Sequence, residues 1–449
     1  MNNYKILLTL LPCMFALWTL SAQNTENNPV SRYGLGEMRL YDPVWMAGMG
    51  HSGVGFASEQ LFNPLNPASS SFLIQTDVEV GLNARWNQLI NQNDEQYKEW
   101  NGGIQQVQLA IPLQNTINDL LNRKTRKRFM ALQFGLRPYS SMGYNSTVIH
   151  DGDSTNIMQR QLQGDGALTA LNLGFSYRYQ NFAVGLGLDY IFGNFNYNQS
   201  LIFRSVTGSH DSYLNDRQHI SGWIPTLGLL YRRLNNEEEI KKDNSLRKNY
   251  ISAGIGIQLP TSYSAKYSAL HYTRYDESNP VSGAVSDTIL NLVDQATEGD
   301  FPFSVKAGFM YSLQDRSGFV FQAQYDAWQG KKLAPGLIGE YANAFGIRAG
   351  GWYRKGQHHY DGFWKKSTFR FGFYYQEDYR KIENLQGNTL GITCGWSYPV
   401  IFLRQDALIH FSVEGGQRKF GNLLKENFVQ LTFGVTINDN EWFLKRRYN

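Results

Sequence analysis

From about residue 74 onward, apolar positions alternate with small or polar ones at a period of two. The clearest case runs from Leu168 to Phe192 and is split by Gln180 and Asn181. Before the split, Leu171, Leu173, Phe175, Tyr177 and Tyr179 alternate with Asn172, Gly174, Ser176 and Arg178. After it, Phe182, Val184, Leu186, Leu188, Tyr190 and Phe192 alternate with Ala183, Gly185, Gly187 and Asp189. Successive side chains of a strand point to opposite faces, so each run has one apolar and one polar face. A soluble hairpin could carry the same pattern. Its recurrence to the end of the chain, with tyrosines near many strand ends, is the signature of a transmembrane β-barrel, apolar toward lipid and polar toward the lumen.

Fourteen such runs occur, beginning with Val78, Val80, Leu82 and Ala84 and ending with Val429, Leu431, Phe433, Val435 and Ile437. They predict an all-β fold, a fourteen-stranded antiparallel transmembrane β-barrel over residues 74–449. An even count returns both ends of the barrel to the periplasmic side. The long segments 86–102, 141–165, 201–217 and 265–299 then fall outside the cell, and the tight turns 180–181 and 314–317 fall inside. A lipid-facing Arg or Lys at mid-depth costs about 2–4 kcal/mol. Asp77, Glu79, Arg85, Arg137, Arg178, Asp189, Lys306, Asp326, Arg348, Arg370 and Glu414 are therefore assigned to the lumen.

Composition adds little that conflicts. The chain has 449 residues, 14% aromatics and a net charge of +4, with a mean hydropathy of −0.41. It has no run of about 20 apolar residues in its interior, as a spanning helix needs, and its spread-out charge gives no support for nucleic-acid binding. Residues 1–22 read as an export signal: Lys5, the apolar run Ile6 to Leu20, then Ser21-Ala22 before Gln23. Lipidation at Cys13 is disfavoured by Pro12 and by the apolar run that continues past it. Cleavage leaves Cys394 alone, on the apolar face of its strand with Leu390, Ile392 and Trp396, as a packing thiol. Residues 23–73 do not alternate; Pro29, Pro43, Pro64, Pro67 and several glycines suit a compact irregular segment. Within it, Gly48-Met49-Gly50-His51-Ser52-Gly53 spells a dinucleotide fingerprint, but no strand precedes it and no helical period follows, which leaves a glycine-rich turn.

Catalytic chemistry is weakly written. His410 and Ser412 share an inward face but stand about 6.6 Å apart along the strand, which favours a lumen hydrogen-bond network over a nucleophile and its base. His358-His359 reads as a solvated turn, with a metal site a remote option. Asp151-Gly152-Asp153-Ser154-Thr155 has calcium-like spacing without a closing glutamate. No enzyme activity, catalytic residue, metal or cofactor is expected.

Some residues do match a known family. Asn66-Pro67-Ala68 resembles the Asn-Pro-Ala motif near the end of the hatch in the long-chain fatty-acid transporter family of outer-membrane barrels. The opening Ser31-Arg32-Tyr33-Gly34-Leu35-Gly36-Glu37 and the ending Trp442 to Tyr448 resemble the branch that includes the shuttle barrel of the type IX secretion system. The resemblance implies an outer-membrane location and fourteen strands. It also implies a hatch at 23–73 plugging the lumen, and a lateral opening at a kink in the third strand, where Gly135 and Pro138 fall. Proline cannot donate to a ladder and is confined to edges, strand starts or bulges. The inward positions assigned here are mostly Gly, Ser, Gln and charge, without a greasy lumen stripe. Passive uptake of a hydrophobic or amphipathic compound is the first functional expectation. The alternative is a non-transporting subunit of a secretion or assembly complex, meeting a protein partner at the charged periplasmic turns.

Overall fold

The computed structural model describes residues 27–114, 119, 126–151, 157–203, 210–243, 247–275, 285–356, 361–402 and 405–439. The signal segment, Gly152 to Thr155, His358-His359 and the Trp442 to Tyr448 ending lie outside the described residues. Seventeen strands form one antiparallel sheet: β1 (Thr76–Asn91), β2 (Gln96–Pro112), β3 (Arg128–Asp151), β4 (Ile157–Tyr179), β5 (Phe182–Phe203), β6 (His210–Leu234), β7 (Tyr250–Gln258), β8 (Thr261–Tyr275), β9 (Val285–Phe301), β10 (Phe303–Leu313), β11 (Ser317–Ala327), β12 (Glu340–Tyr341), β13 (Ala344–Arg354), β14 (Thr368–Ile382), β15 (Leu385–Phe402), β16 (Gln405–Phe420) and β17 (Leu424–Asp439). β7 and β8, β9 and β10, and β12 and β13 are consecutive pieces of single staves, which leaves fourteen. The ring closes where β1 pairs with β17 from Thr76↔Asp439 to Asn91↔Leu424. Closure is obligatory in lipid, since an open edge would leave unpaired N–H and C=O groups in hydrocarbon.

The faces sort as alternation demands. Leu186, Phe371 and Ile392 are exposed by 55%, 61% and 66%, pointing outward, and Cys394 is exposed beside them. Asp77, Glu79, Arg85, Asp189, Arg348, Arg370 and Glu414 are buried inside the ring. Strand length varies with position. β10, β11 and β13 have 11 residues each, about what a tilted membrane-crossing strand needs. β3, β4, β5 and β6 have 22 to 25. Much of each segment expected as an outer loop is thus hairpin: the β3–β4 ladder continues to Asp151↔Ile157, and β8 and β9 pair across most of 261–301. Beyond the membrane these hairpins meet water on their outer face, so that face is not required to be apolar. Pro260 and Pro302 break their staves where the β8–β9 hairpin leaves the membrane wall, because neither can donate a ladder hydrogen bond.

Residues 27–75 lie within the ring as short turns: 3₁₀ turns at Pro29–Arg32 and Pro67–Phe72 and one helical turn at Val44–Ala47. The glycine-rich stretch 48–53 is a chain of turns following that helical turn. This segment rests on a belt of inward glycines. A Cβ on Gly185, Gly228, Gly254, Gly350 or Gly372 would come under 3.0 Å from the backbone or side chains of Ala68, Asn66, Val54, Met49 and Gly50 respectively. Neighbours in the belt pair directly across the sheet: Gly185↔Gly228, Gly254↔Gly308, Gly350↔Gly372 and Gly81↔Gly434. Removing the side chain from the wall at one level lets main chain approach main chain.

A Gly372→Val exchange should therefore lower the thermal unfolding midpoint in detergent, by the equivalent of about 1–3 kcal/mol or more for overpacking. Gly415→Ala, whose added carbon meets nothing within 4 Å, should leave it unchanged. Equal midpoints for the two variants would contradict the belt.

Candidate functional site

The site begins at a seam in the wall. β2 pairs with β3 only from Val107↔Leu136 to Pro112↔Ala131, while β2 continues from Gln96 and β3 to Asp151. Beyond Leu136 the edge of β3 faces no strand of β2. Gly135 lies inside the last paired stretch, between Gln108 and Asn172, and Pro138 lies just past it. The β3–β4 register slips between Pro138 and Ser140, so that Tyr139 bulges inward against Phe301. The N-terminal segment fills the seam as a substitute strand. Glu37 and Ser141 exchange backbone hydrogen bonds of 2.7 and 3.0 Å, and Asn28 donates to the Gly143 carbonyl at 2.8 Å. Asn27 donates to Glu99 on β2 at 2.6 Å and accepts from the Asn145 amide on β3 at 2.7 Å. Gly36 makes this approach possible: its φ is +81°, and a Cβ there would strike the Ser141 carbonyl.

Behind the seam lies a buried charged cluster. Glu37 accepts from Arg39 at 2.8 Å, from Arg418 at 2.8 Å and from the Asn28 amide at 2.7 Å. Arg418 also meets Glu426 at 3.3 Å, and Arg85 meets Glu426 at 3.0 Å. Burial works to raise the Glu37 carboxyl, but Arg39, Arg418 and Arg85 overcome it and hold the group well below the usual carboxylate range. On β14, Arg380 donates to the carbonyls of Val30 and Gly36 at 3.0 and 3.2 Å, and the Tyr379 hydroxyl donates to Gly36 at 2.6 Å.

Deeper in, His51 is fully buried between Asp42 and Glu414, at 3.0 Å from each. Tyr374 donates to the other Glu414 oxygen, and Arg348 donates to the His51 carbonyl at 3.2 Å. Burial would push the His51 imidazole down; Glu414 and Asp42 outweigh it and raise it to about 9. The wall also satisfies the segment's backbone. Gln322 accepts from the amides of Gly53 and Val54, Thr393 from Gly50 and Glu79 from Val44. Asn66 caps the second 3₁₀ turn by accepting from the Ala68 amide at 3.1 Å, and its own amide donates to Val54 and Leu229 at 3.0 Å. Pro67 starts that turn, where its missing N–H costs nothing.

The outer half of the lumen holds an apolar cluster that the sequence expectation of a polar interior missed. Residues 328–341, from the end of β11 through β12, fold inward and bring Trp328, Leu337 and Tyr341 into one cluster with Tyr263, Phe301, Ile191 and Leu35. Tyr33 and Ile338 form an isolated bridge, which ties this inward loop to the N-terminal segment. Two cavities of about 80 and 70 Å³ lie between segment and wall. The smaller one touches Gly135, Arg137, Asp189 and Lys306 next to the seam. A third, of about 530 Å³, opens below the segment at the periplasmic ends of the staves. His410 bonds to Ser397 at 2.6 Å and Thr436 at 2.9 Å on the flanking strands, while Ser412 pairs with Thr432 instead. Among the described residues no three His, Cys, Asp or Glu side chains gather as metal ligands would.

A closed fourteen-stave ring with an inward-packed N-terminal segment has the fold of the FadL-type outer-membrane barrels. A FadL homologue of Pseudomonas aeruginosa superposes with a TM-score of 0.56 at 12% identity, over 91% of this chain and 99% of that one. The Pseudomonas putida toluene transporter TodX gives 0.53 at 15%, over 90% and 99%, and the Ralstonia pickettii toluene transporter TbuX gives 0.51 at 14%, over 88% and 98%. At such identities the likeness is one of fold. A comparison with curated protein sequences gives no match. The family model described as BamG matches residues 4–449, and the chain belongs to the BamG family.

Two outcomes follow from the buried charges. Arg418→Gln leaves Glu37 and Glu426 short of a cation and should cost about 3–5 kcal/mol, the usual penalty for breaking a buried pair. It would be read as loss of the heat-resistant folded band on gels, and wild-type behaviour would refute the pairing. His51 has a folded value of about 9 against about 6.5 unfolded. Its contribution is therefore complete below about pH 6.5 and is lost as pH rises through about 9. The unfolding midpoint should fall across that window in the wild type and stay flatter in His51→Gln.

Proposed function

We propose that this barrel works as a docking subunit of an outer-membrane protein complex and not as a conduit. The observation that carries the reading is the filled lumen. The N-terminal segment sits backbone-to-backbone on the glycine belt, and the buried Glu37–Arg418 pair, with Arg380 donating to the Val30 carbonyl, fixes its first turns. The inward loop 328–341 fills the outer mouth with apolar side chains. The cavities between segment and wall, about 80 and 70 Å³, fall well short of the roughly 300–1,000 Å³ of pockets that hold small ligands. Charged turns at the periplasmic end, including Glu237–Lys242 and Phe363–Lys366 with exposed Trp364 and Lys365, offer a contact surface for a protein partner.

Passive uptake of a hydrophobic compound is the second reading, with the hatch as plug and Gly135 and Pro138 flanking a lateral gate. It is favoured by the absent β2–β3 ladder above Leu136 and the small cavity beside it. Purification in mild detergent followed by mass spectrometry separates the two. A stoichiometric protein partner, together with liposomes that pass no toluene-sized solute, is the expected result. A co-purified lipid-like ligand with measurable permeation and no partner would overturn the docking reading.

A further inference from the structure

The periplasmic cavity of about 530 Å³ is lined by Arg232, Arg247, Lys248, Arg354 and Arg370, against the carboxylates of Glu59 and Asp315. Its volume falls within the range of ligand-holding pockets. Charge is only part of its character. Leu61 of the N-terminal segment, Met310 and Leu408 give it apolar surface, and Tyr250 and Trp352 supply aromatic faces. Trp352 is held edge-on by Phe56, at 5.5 Å between ring centroids.

The cations are not neutralised by what surrounds them. Arg232 is only 9% exposed, stacks over the Tyr250 ring at 3.7 Å and reaches Glu59 at 3.5 Å, a long contact to a partly exposed carboxylate. Its Nε has no hydrogen-bond partner, nor do Nε of Arg354 and one terminal nitrogen of Arg247. A buried guanidinium nitrogen left without an acceptor is costly, and acceptors supplied from outside would remove that cost. Guanidinium groups take carboxylates in fixed, often bidentate geometry, while the aromatic and aliphatic surface selects for an apolar neighbour.

We propose that this cavity is a docking pocket for a short acidic segment of a partner protein, one that presents carboxylates beside a large apolar side chain. The inference rests on the docking role proposed above and names the chemistry of the partner. The segment inserts from the periplasm, its carboxylates meeting Arg232, Arg247 and Arg354 and its apolar residue lying against Trp352, Met310 and Leu61.

Calorimetry on the full chain in detergent tests this with acetyl-Asp-Phe-Glu-amide as probe and acetyl-Asn-Phe-Gln-amide as its neutral counterpart. The acidic peptide should bind at least tenfold more tightly, its affinity should fall as salt rises, and the Lys248→Gln/Arg354→Gln double variant should lose about tenfold. Lys248 is exposed and Arg354 half-buried, and the heat-resistant folded band checks that the variant is intact. Equal affinity for the two peptides, or an unaltered double variant, would overturn the proposal. Inorganic phosphate displacing the peptide at the concentrations at which the peptide itself binds would also overturn it, by reducing the cavity to a bare anion site. A partner that co-purifies while neither peptide binds would reject this pocket and leave the docking role standing. Peptide binding without any partner would keep the pocket and reject the role.

Discussion

The interior of a bilayer offers no water to a peptide group, and the whole molecule answers to that fact. Fourteen staves close on themselves at β1 and β17 so that the wall has no edge. Between β2 and β3 strand-to-strand pairing stops early. There the chain brings in its own residues 27–37 to meet the exposed carbonyls and amides of β3. The N-terminal segment is in this sense part of the wall as well as part of the filling.

The filling is held by two different kinds of contact. At the level of the glycine belt, backbone touches backbone, and specificity comes from the absence of side chains. Above and below it, side chains do the selecting: Glu37 with Arg418 and Arg39, His51 with Asp42 and Glu414, Gln322 with two amides. Glu37 and His51 each meet opposite charges, which is the condition for keeping charges out of water at tolerable cost. An interior built this densely resembles a domain core more than a passage.

Much of the fold was legible in the sequence because lipid imposes a strict rule on one face. Leu171, Leu173 and Phe175, or Phe369, Phe371 and Phe373, alternate as a wall with oil on one side requires, and the assignment of Glu79, Arg348 and Glu414 to the lumen followed from the same rule. Where lipid stops, the rule stops. The upper halves of β3 to β6 and of β8 and β9 are wet on their outer face, so 141–165 and 265–299 read as loops although 141–151 pairs with 157–167 and 265–274 with 285–297. The inward cluster of Ile191, Tyr263, Phe301 and Trp328 was hidden for the same reason. Pro138 could be singled out by its missing donor, but nothing in its neighbourhood announced that residues near the chain start would lie beside it. Glu37 and Arg418 stand almost a whole chain apart, and no local pattern connects them. The cationic and aromatic lining of the periplasmic cavity likewise comes from many separate strands and turns.

The seam has a consequence for how the molecule comes together. Its substitute strand is made from the earliest described residues, yet everything that holds it comes later: Ser141 and Gly143 on β3, Arg380 on β14, Arg418 on β16. Those first residues must stay loose until the last staves arrive, and contacts of such long span are slow to form. A ring that shut before they were seated would leave Arg418 without Glu37, and Arg380 without the carbonyls of Val30 and Gly36. Sealing the wall and stowing the N-terminal segment are thus one event in the life of the chain, and whatever assists its insertion into the membrane has to keep the beginning of the polypeptide within reach until its end has been placed.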